Sequence, residues 1–535
     1  MVFRQVLSAA NKQKGCEMRV THSWVLSLLL TGCQLTQQTE NQVSPSQNTN
    51  HSPEQTFGQI AKKPENDSGP ALSPKSQEDL WQRIALQLEL PVSNDKMVDY
   101  YRTWYLTHPK HLETVSERAQ PFLYLITEKI EQRGLPLELA LLPIVESSFD
   151  AFAYSHGSAA GLWQFVPSTG KYYGLTQNYW YDGRRDVSAS TDAALDYLSA
   201  LNDRFDGNWN HAIAAYNSGG GRVSSAIRKN QRLGKPTDFF SLDLPEETSG
   251  YVPKLMALAD IIANQDKYDI DIPPIANKPA VQLIDPKEQL DLAIAAGYAG
   301  ISVKQIQALN PAYNQWATAP SGPHQLLIPV SSLDRFQTSL AKNRGKGMKL
   351  VRYKVKSGDS LSALANQYST TTKVIKNANN LVSDSIRIGQ FLMIPTSTKS
   401  DAAYILSASN RLAKAQAKSR GQYKLTHTVR SGESLWTIAR ANKVSHQSLA
   451  KWNGMSPKDT LRVGQTLVIW KNTSEGAVIR TVFYSVKNGD TISAIADKFK
   501  VNSKDIVKWN DLSRQKYLQP GQKLKLYVDV TKVSA

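Results

Sequence analysis

Cysteine is nearly missing: only Cys16 and Cys33 occur in 535 residues, both close to the N-terminus. The rest of the chain can hold neither a disulfide framework nor a thiolate metal site. Nine histidines are scattered without ligand spacing, and His108 and His111 stand alone as a pair, so no metal and no cofactor are expected. Acidic residues are outnumbered, 46 Asp+Glu against 63 Lys+Arg, for a net charge of +17. Such a surplus suits nucleic acid, an anionic membrane face or an anionic polymer. No helix-turn-helix, zinc knuckle or RNA-binding signature accompanies it, so no nucleic-acid partner is expected. At this length one hydrophobic core does not suffice, and several domains are expected.

The N-terminus reads as an address. Arg19 and His22 precede the apolar run Trp24–Leu30, which is too short to span a bilayer. Leu30-Thr31-Gly32-Cys33 resembles a bacterial lipobox, which implies cleavage before Cys33 and lipidation of that cysteine, within residues 1–33. The alternative is an ordinary secretory signal with an incidental cysteine. Gln34 stands where an inner-membrane retention signal would favour Asp, so the resemblance implies an outer-membrane lipoprotein facing the periplasm. Residues 1–17 lengthen this signal, and Met18 is a second candidate start. From 34 to 77 the chain is rich in Gln, Asn, Ser, Thr and Pro and reads as a flexible tether.

The chain is organised around Leu142-Pro143-Ile144-Val145-Glu146-Ser147-Ser148-Phe149-Asp150 and the Gly161-Leu162-Trp163-Gln164-Phe165 beyond it. Pro136 suits a first helical turn, and Glu138 suits its positive N-terminus. Leu139, Leu142, Val145 and Phe149 recur at helical spacing, which predicts a helix ending near Phe149-Asp150. Glu146 sits late in this apolar run. A carboxylate there loses water and titrates upward, as a general acid at neutral pH requires. The alternative is a surface glutamate on the far side of the helix.

Four blocks in order carry a resemblance: Glu146-Ser147; Gly161-Leu162-Trp163-Gln164; Ala214-Ala215-Tyr216-Asn217 with Gly219 and Gly221; and Glu247-Thr248-Ser249-Gly250-Tyr251-Val252-Pro253. Together they resemble the catalytic signature of lytic transglycosylases of the goose-lysozyme-like superfamily. That resemblance implies an all-α, lysozyme-like catalytic domain over residues 78–275. It implies cleavage of the β-1,4 bond between N-acetylmuramic acid and N-acetylglucosamine, with Glu146 as the single acid and base. The muramoyl C6 hydroxyl would attack C1 and leave a 1,6-anhydro end. Ser147 and Gln164 would position groups in the cleft, Tyr216 and Asn217 would contact the muramoyl ring, and Tyr251 would hold Glu146. Trp163 is assigned packing only. Ordinary glycosidases need a second carboxylate; the candidates are Asp150, Asp182 and Asp186, none of which falls in a matching block. The basic charge also suits peptidoglycan, whose peptides carry carboxylates.

Two helices are expected nearby, one opening at Ser190-Thr191-Asp192 and one over Trp209–Tyr216, the latter stopped by Gly219-Gly220-Gly221. Tyr100, Tyr101, Trp104 and Tyr105 form an aromatic cluster expected in the core. Residues 276–345 suggest a small connecting module, weakly similar to a degenerate form of the repeats that follow.

The C-terminal third repeats. Ser357-Gly358-Asp359-Ser360-Leu361, Ser431-Gly432-Glu433-Ser434-Leu435 and Asn488-Gly489-Asp490-Thr491-Ile492 align. So do Ala365, Ala439 and Ala496; Asn379, Asn453 and Asn510; and Gly-Gln pairs at Gly389, Gly464 and Gly521. Units 350–396, 425–470 and 481–528 resemble LysM, a small α+β (βααβ) module that binds N-acetylglucosamine-containing glycans. Each copy is expected to bind weakly and the three to gain by avidity. Ala402–Arg420 reads as a linker, possible as a helix. Two other readings stay open: an inactive wall-binding scaffold, and a hydrolytic muramidase with the same fold and acid.

Overall fold

A computed structural model describes residues 73–155, 157–421, 423–472, 479–512 and 518–529. The expected signal, the lipobox at Cys33 and the tether up to residue 72 lie outside these residues.

The first described domain is helical, as the patterning implied. Its helices are α1 (Leu80–Ala85), α2 (Lys96–Thr107), α3 (Pro109–Ala119), α4 (Leu123–Gln132), α5 (Leu142–Ser147), α6 (Pro167–Tyr172), α7 (Val187–Arg204), α8 (Trp209–Ser218), α9 (Gly220–Arg232), α10 (Glu246–Ala263) and α11 (Gln265–Tyr268). The long α10 buries most of its residues and packs against α1, α2, α5 and α8. Arg83 on α1 is almost wholly buried and joins Glu128 and Glu131 of α4, each at 2.5 Å, while also donating to Asn277 at 2.9 Å. One guanidinium thus closes the domain's first helix onto its last residues.

Local chemistry departs from the sequence reading in four respects. The helix expected to open at Pro136 is a 3-10 run over Leu137–Leu141 before α5 begins. Pro143 has no N–H to give the Leu139 carbonyl, so the hydrogen-bond register restarts there. Glu138 does not sit at an exposed helix start; it is buried, and its Oε1 accepts the N–H groups of Glu89 and Leu90, both at 2.7 Å. The helix expected to open at Ser190 begins three residues earlier, because Asp186 caps α7 through Ala189 N–H at 2.8 Å. The aromatic cluster on α2 divides: Tyr105 is core, whereas Tyr100 and Trp104 face solvent.

The connecting module and the three repeats share one plan, strand–helix–helix–strand with an antiparallel two-stranded sheet. In the module these are β1 (Val281–Ile284), α12 (Leu292–Ala299), α13 (Val303–Leu309) and β2 (Leu326–Pro329), followed by α14 (Leu333–Lys342). Repeat one has β3 (Lys349–Lys354), α15 (Leu361–Gln367), α16 (Thr372–Ala378) and β4 (Phe391–Thr396). Next comes α17 (Ala408–Ala417), within the expected linker. Repeat two has β5 (Tyr423–Thr428), α18 (Leu435–Ala441), α19 (His446–Trp452) and β6 (Thr466–Lys471). Repeat three has β7 (Ile479–Ser485), α20 (Ile492–Lys498), α21 (Ser503–Trp509) and β8 (Lys523–Asp529).

The repeating asparagine now has a physical reason. Asn379, Asn453 and Asn510 each follow the second helix and hold the closing strand with both ends of the amide. Their Nδ2 groups donate to Met393, Val468 and Lys525 carbonyls at 2.8, 2.8 and 2.9 Å; their Oδ1 atoms accept the same residues' N–H, all at 2.7 Å. Asn310 does the same for Leu327, at 3.0 and 2.7 Å, which makes the connecting module a fourth unit of this type. Ser360, Ser434 and Thr491 cap each unit's first helix.

These units are packed against one another. One hydrophobic core joins Trp180 and Tyr181 of the helical domain, Tyr313, Trp316 and Phe336 of the connecting module, Val374 of repeat one and Tyr404 of the segment after it. Asp291, fully buried, caps α12 through Ala293 and also accepts from Thr398 N–H, the Thr398 hydroxyl and the Tyr404 hydroxyl, all at 2.7–2.8 Å. The linker helix α17 is docked: Ala408 N–H meets the Asn314 carbonyl at 2.8 Å, and Arg411 lies over the Phe152 ring at 5.0 Å. Asp459 of repeat two accepts from the hydroxyls of Tyr154, at 2.9 Å, and Ser158, at 2.6 Å.

Candidate active site

The site begins where α5 ends. Ser148 and Phe149 both adopt left-handed backbone, and Phe149 N–H reaches back to the Pro143 carbonyl at 3.0 Å. Glu146 lies one turn before this stop, partly accessible but surrounded by protein. The Tyr251 hydroxyl on α10 donates to its Oε1 at 2.5 Å. Loss of water pushes the Glu146 carboxyl up to about 7; the Tyr251 bond and the Lys254 charge oppose that rise, and the Glu247 charge adds to it. Tyr216 and Tyr251 are both held well above the ordinary phenol range, first by burial and then by the Glu146 charge.

The loop that faces Glu146 is held from below. Gly161 packs so closely on the Arg184 carbonyl that a Cβ there would lie 2.0 Å from that oxygen, and its φ is +81°. Arg184 donates to the Ser158 and Phe165 carbonyls at 2.6 and 3.3 Å, while Asp182 holds Arg184 at 2.8 Å and Arg185 at 2.7 Å. The basic stretch after Asp182 is therefore a buried clamp on the loop. Trp163 is buried, its indole N–H on Thr191 Oγ1 at 3.0 Å, in keeping with a packing role.

Each expected site residue falls in this region. The Ser147 hydroxyl lies 3.0 Å from the Pro143 carbonyl and 3.1 Å from the Leu162 carbonyl, tying α5 to the loop. Gln164, with φ of +48°, donates to the Gly161 carbonyl at 2.7 Å. The Tyr216 hydroxyl donates to the Trp163 carbonyl at 2.8 Å, and its ring packs against Phe165 and Tyr197. Asn217 Oδ1 accepts from Thr248 Oγ1 at 2.8 Å, joining the end of α8 to the start of α10. Thr248, which lies inside the fourth matching block, and the Asp182–Arg184–Arg185 clamp, which lies in none, were not anticipated as site supports.

The three candidate second carboxylates are occupied elsewhere. Asp182 is buried; its pairing with Arg184 and Arg185 outweighs desolvation and holds it below the usual carboxylate range. Asp186 caps α7 and accepts from the Tyr181 hydroxyl at 2.8 Å. Asp150 accepts from Phe152 N–H at 2.9 Å. The charges that act on Glu146 are those of Glu247 and Lys254. Among the described residues no group of three His, Cys, Asp or Glu side chains could hold a metal ion.

A helical lysozyme-like domain with a desolvated glutamate met by a tyrosine hydroxyl, followed by βααβ repeats, defines the class: a lytic transglycosylase with glycan-binding modules. Residues 124–239 match the transglycosylase SLT domain family, and 353–395, 427–470 and 484–526 match the LysM domain. Residues 280–345 match the family described as the lytic transglycosylase MltD, LysM-like domain, in agreement with the Asn310 clamp. The chain is 35% identical to the membrane-bound lytic murein transglycosylase D of Escherichia coli K12 over 455 residues, 83% of this chain and 96% of that protein. It therefore belongs to the membrane-bound lytic murein transglycosylase D family. It is also 43% identical over 169 residues to a putative tributyltin chloride resistance protein of an Alteromonas species, covering 32% of this chain and 80% of that one. Against the solved lytic transglycosylase Slt of Pseudomonas aeruginosa the identity is 20% and the TM-score 0.24, over 36% of this chain and 33% of that one. The protein is a peptidoglycan-cleaving enzyme of the cell envelope.

Proposed function

We propose that Glu146 alone carries both proton transfers in a non-hydrolytic cleavage. Protonated, it gives its proton to the glycosidic oxygen leaving the muramoyl C1. The muramoyl C6 hydroxyl then attacks C1, and the Glu146 carboxylate takes the hydroxyl proton, which closes a 1,6-anhydro ring and restores the acid. No water is consumed. The observation that carries this reading is the elevation of Glu146 to about 7, where one group can serve as acid and then base near neutral pH.

In this scheme Tyr251 steadies Glu146, Asn217 meets the muramoyl ring with its amide, and Tyr216 orders the loop through Trp163. Ser147 and Gln164 set the shape of the cleft through the same loop. Hydrolysis has one observation in its favour, the exposed Glu247, whose charge reaches Glu146 and which could activate water. Mass spectrometry of products from purified glycan strands separates the two. Products lighter by one water than hydrolytic ones support the anhydro route; hydrolytic masses reject it.

Tyr251→Phe keeps the ring but removes the bond that favours ionised Glu146. The carboxyl should then titrate above about 7, and the alkaline limb of kcat/KM should move to higher pH. A limb that stays in place would show that Tyr251 does not set the proton affinity of Glu146.

We further propose that Cys33 is lipidated and anchors the enzyme to the outer membrane, as its lipobox-like context suggests. Cys33→Ala should abolish fatty-acid labelling and leave either a soluble protein or an uncleaved precursor. Continued lipid labelling of the variant in the outer-membrane fraction would refute this.

A further inference from the structure

Repeats two and three are packed together, and a groove of about 490 Å³ lies between them. Tyr423, Lys424 and Trp470 line it from repeat two; Thr481, Lys525 and Tyr527 line it from repeat three. Neither repeat makes this groove alone. The rings are fixed in place: Tyr527 packs on Tyr423 at 5.6 Å and on Trp509 at 5.3 Å, and its hydroxyl donates to the Lys424 carbonyl at 2.5 Å. Trp470 is only 8% exposed, and its indole N–H is buried without a hydrogen-bond partner among the described residues.

Among the described residues the groove's lining carries charge of one sign only. No acidic side chain is among its lining residues. Among the described residues neither Lys424 nor Lys525 forms an ion pair, and the Lys525 ammonium lies over the Tyr527 ring at 5.0 Å. Lys471 and Lys508 stand nearby, both held below the ordinary lysine range chiefly by lost solvent, and the one acidic charge that reaches them and Tyr423 is that of Asp505. Aromatic faces suit the apolar faces of sugar rings, and two ammonium groups along one groove suit a carboxylate.

We propose that the groove between repeats two and three binds a peptide-bearing amino-sugar segment, the rings resting on Tyr423 and Tyr527 and a free peptide carboxylate meeting Lys424 and Lys525. The proposal rests on the repeats being glycan binders and adds a site that exists only where two of them meet. It would make the pair discriminate glycan that still carries peptide from bare glycan.

The test uses the full chain with Glu146→Gln, so that the ligand is not cut. Calorimetry compares three probes: a neutral N-acetylglucosamine oligomer, a peptide-bearing muramoyl tetrasaccharide, and the free stem peptide. Lys424→Glu with Lys525→Glu should weaken binding of the peptide-bearing glycan at least about tenfold and leave the neutral oligomer within about twofold. Thr481→Trp, which fills the groove and keeps both lysines, should produce the same selective loss. Equal losses on both glycans, or none on either, would overturn the site, as would free peptide binding as tightly as the peptide-bearing glycan. If the parent chain binds neither glycan, the reading of the repeats as glycan binders fails first.

Discussion

Glu146→Gln should lower glycan cleavage by roughly 10²–10⁴-fold or more, because Gln keeps the shape of the side chain and has no proton to give. The same change should stabilise the protein at alkaline pH. In the folded chain Glu146 titrates near 7, above its ordinary value of 4.5. The folded state therefore binds a proton more tightly than the unfolded state, and ionisation disfavours folding as pH rises from about 4.5 to about 7. Below that window parent and variant should be equally stable. Above it the variant should gain up to about 3 kcal/mol, the full value of such a shift. Urea unfolding at pH 4.5 and pH 8, alongside turnover, checks both halves. Near-parental turnover would remove Glu146 from the mechanism, and a stability difference independent of pH would show that its carboxyl is not desolvated.

Gly161→Ala should disable the enzyme without touching the acid. The left-handed backbone at Gly161 costs an alanine about 1–3 kcal/mol. Its Cβ would also run into the Arg184–Arg185 backbone, 2.0 Å from the Arg184 carbonyl oxygen and 3.1 Å from the Arg185 Cα. Neither neighbour can give way easily, since Asp182 holds both guanidinium groups. Overpacking of this kind costs about another 1–3 kcal/mol. The loop can escape only by moving the Leu162 and Trp163 carbonyls, which hold Ser147 and Tyr216. Both thermal stability and turnover should fall sharply. Gly157→Ala is the control, because its Cβ would find only Ser155 Oγ, at 3.6 Å. If the Gly161 variant matches the Gly157 variant in both measurements, the close approach at Gly161 does not shape the cleft.

Helical patterning and repeat spacing were legible in the chain because each follows from local periodicity. The repeated asparagines could be aligned but not explained, since their bonds reach the closing strand about fifteen residues on. Glu138 misled because an acidic residue near a proline suits a helix start, whereas its partners are the distant Glu89 and Leu90 N–H groups. Asp182 and Asp186 looked like spare carboxylates for the same reason: a clamp and a cap are made by neighbours in space. The apolar setting of Glu146 left a surface glutamate equally open, and its choice as the acid came from the resemblance of the four blocks; the hydroxyl that meets it comes from Tyr251 on another helix. The docking of α17 had no sequence signal at all, because an Ala-Lys-rich helix looks alike whether free or packed.

The hydrophobic core shared by Trp180, Trp316, Val374 and Tyr404 bears on how such chains can be rearranged in evolution. A repeat that carries its own core can be duplicated, lost or exchanged like a bead. The first repeat has such a core but is not free, for its Val374 also completes a core begun in the helical domain, and its Ser369 carbonyl takes the Trp316 indole N–H at 2.8 Å. Gene fusion that kept the helical domain and swapped everything after residue 349 would leave apolar surface open on the connecting module. Variation in the number of modules should therefore fall beyond α17, where repeat two meets the helical domain through the hydrogen bonds of Asp459 and not through that shared core.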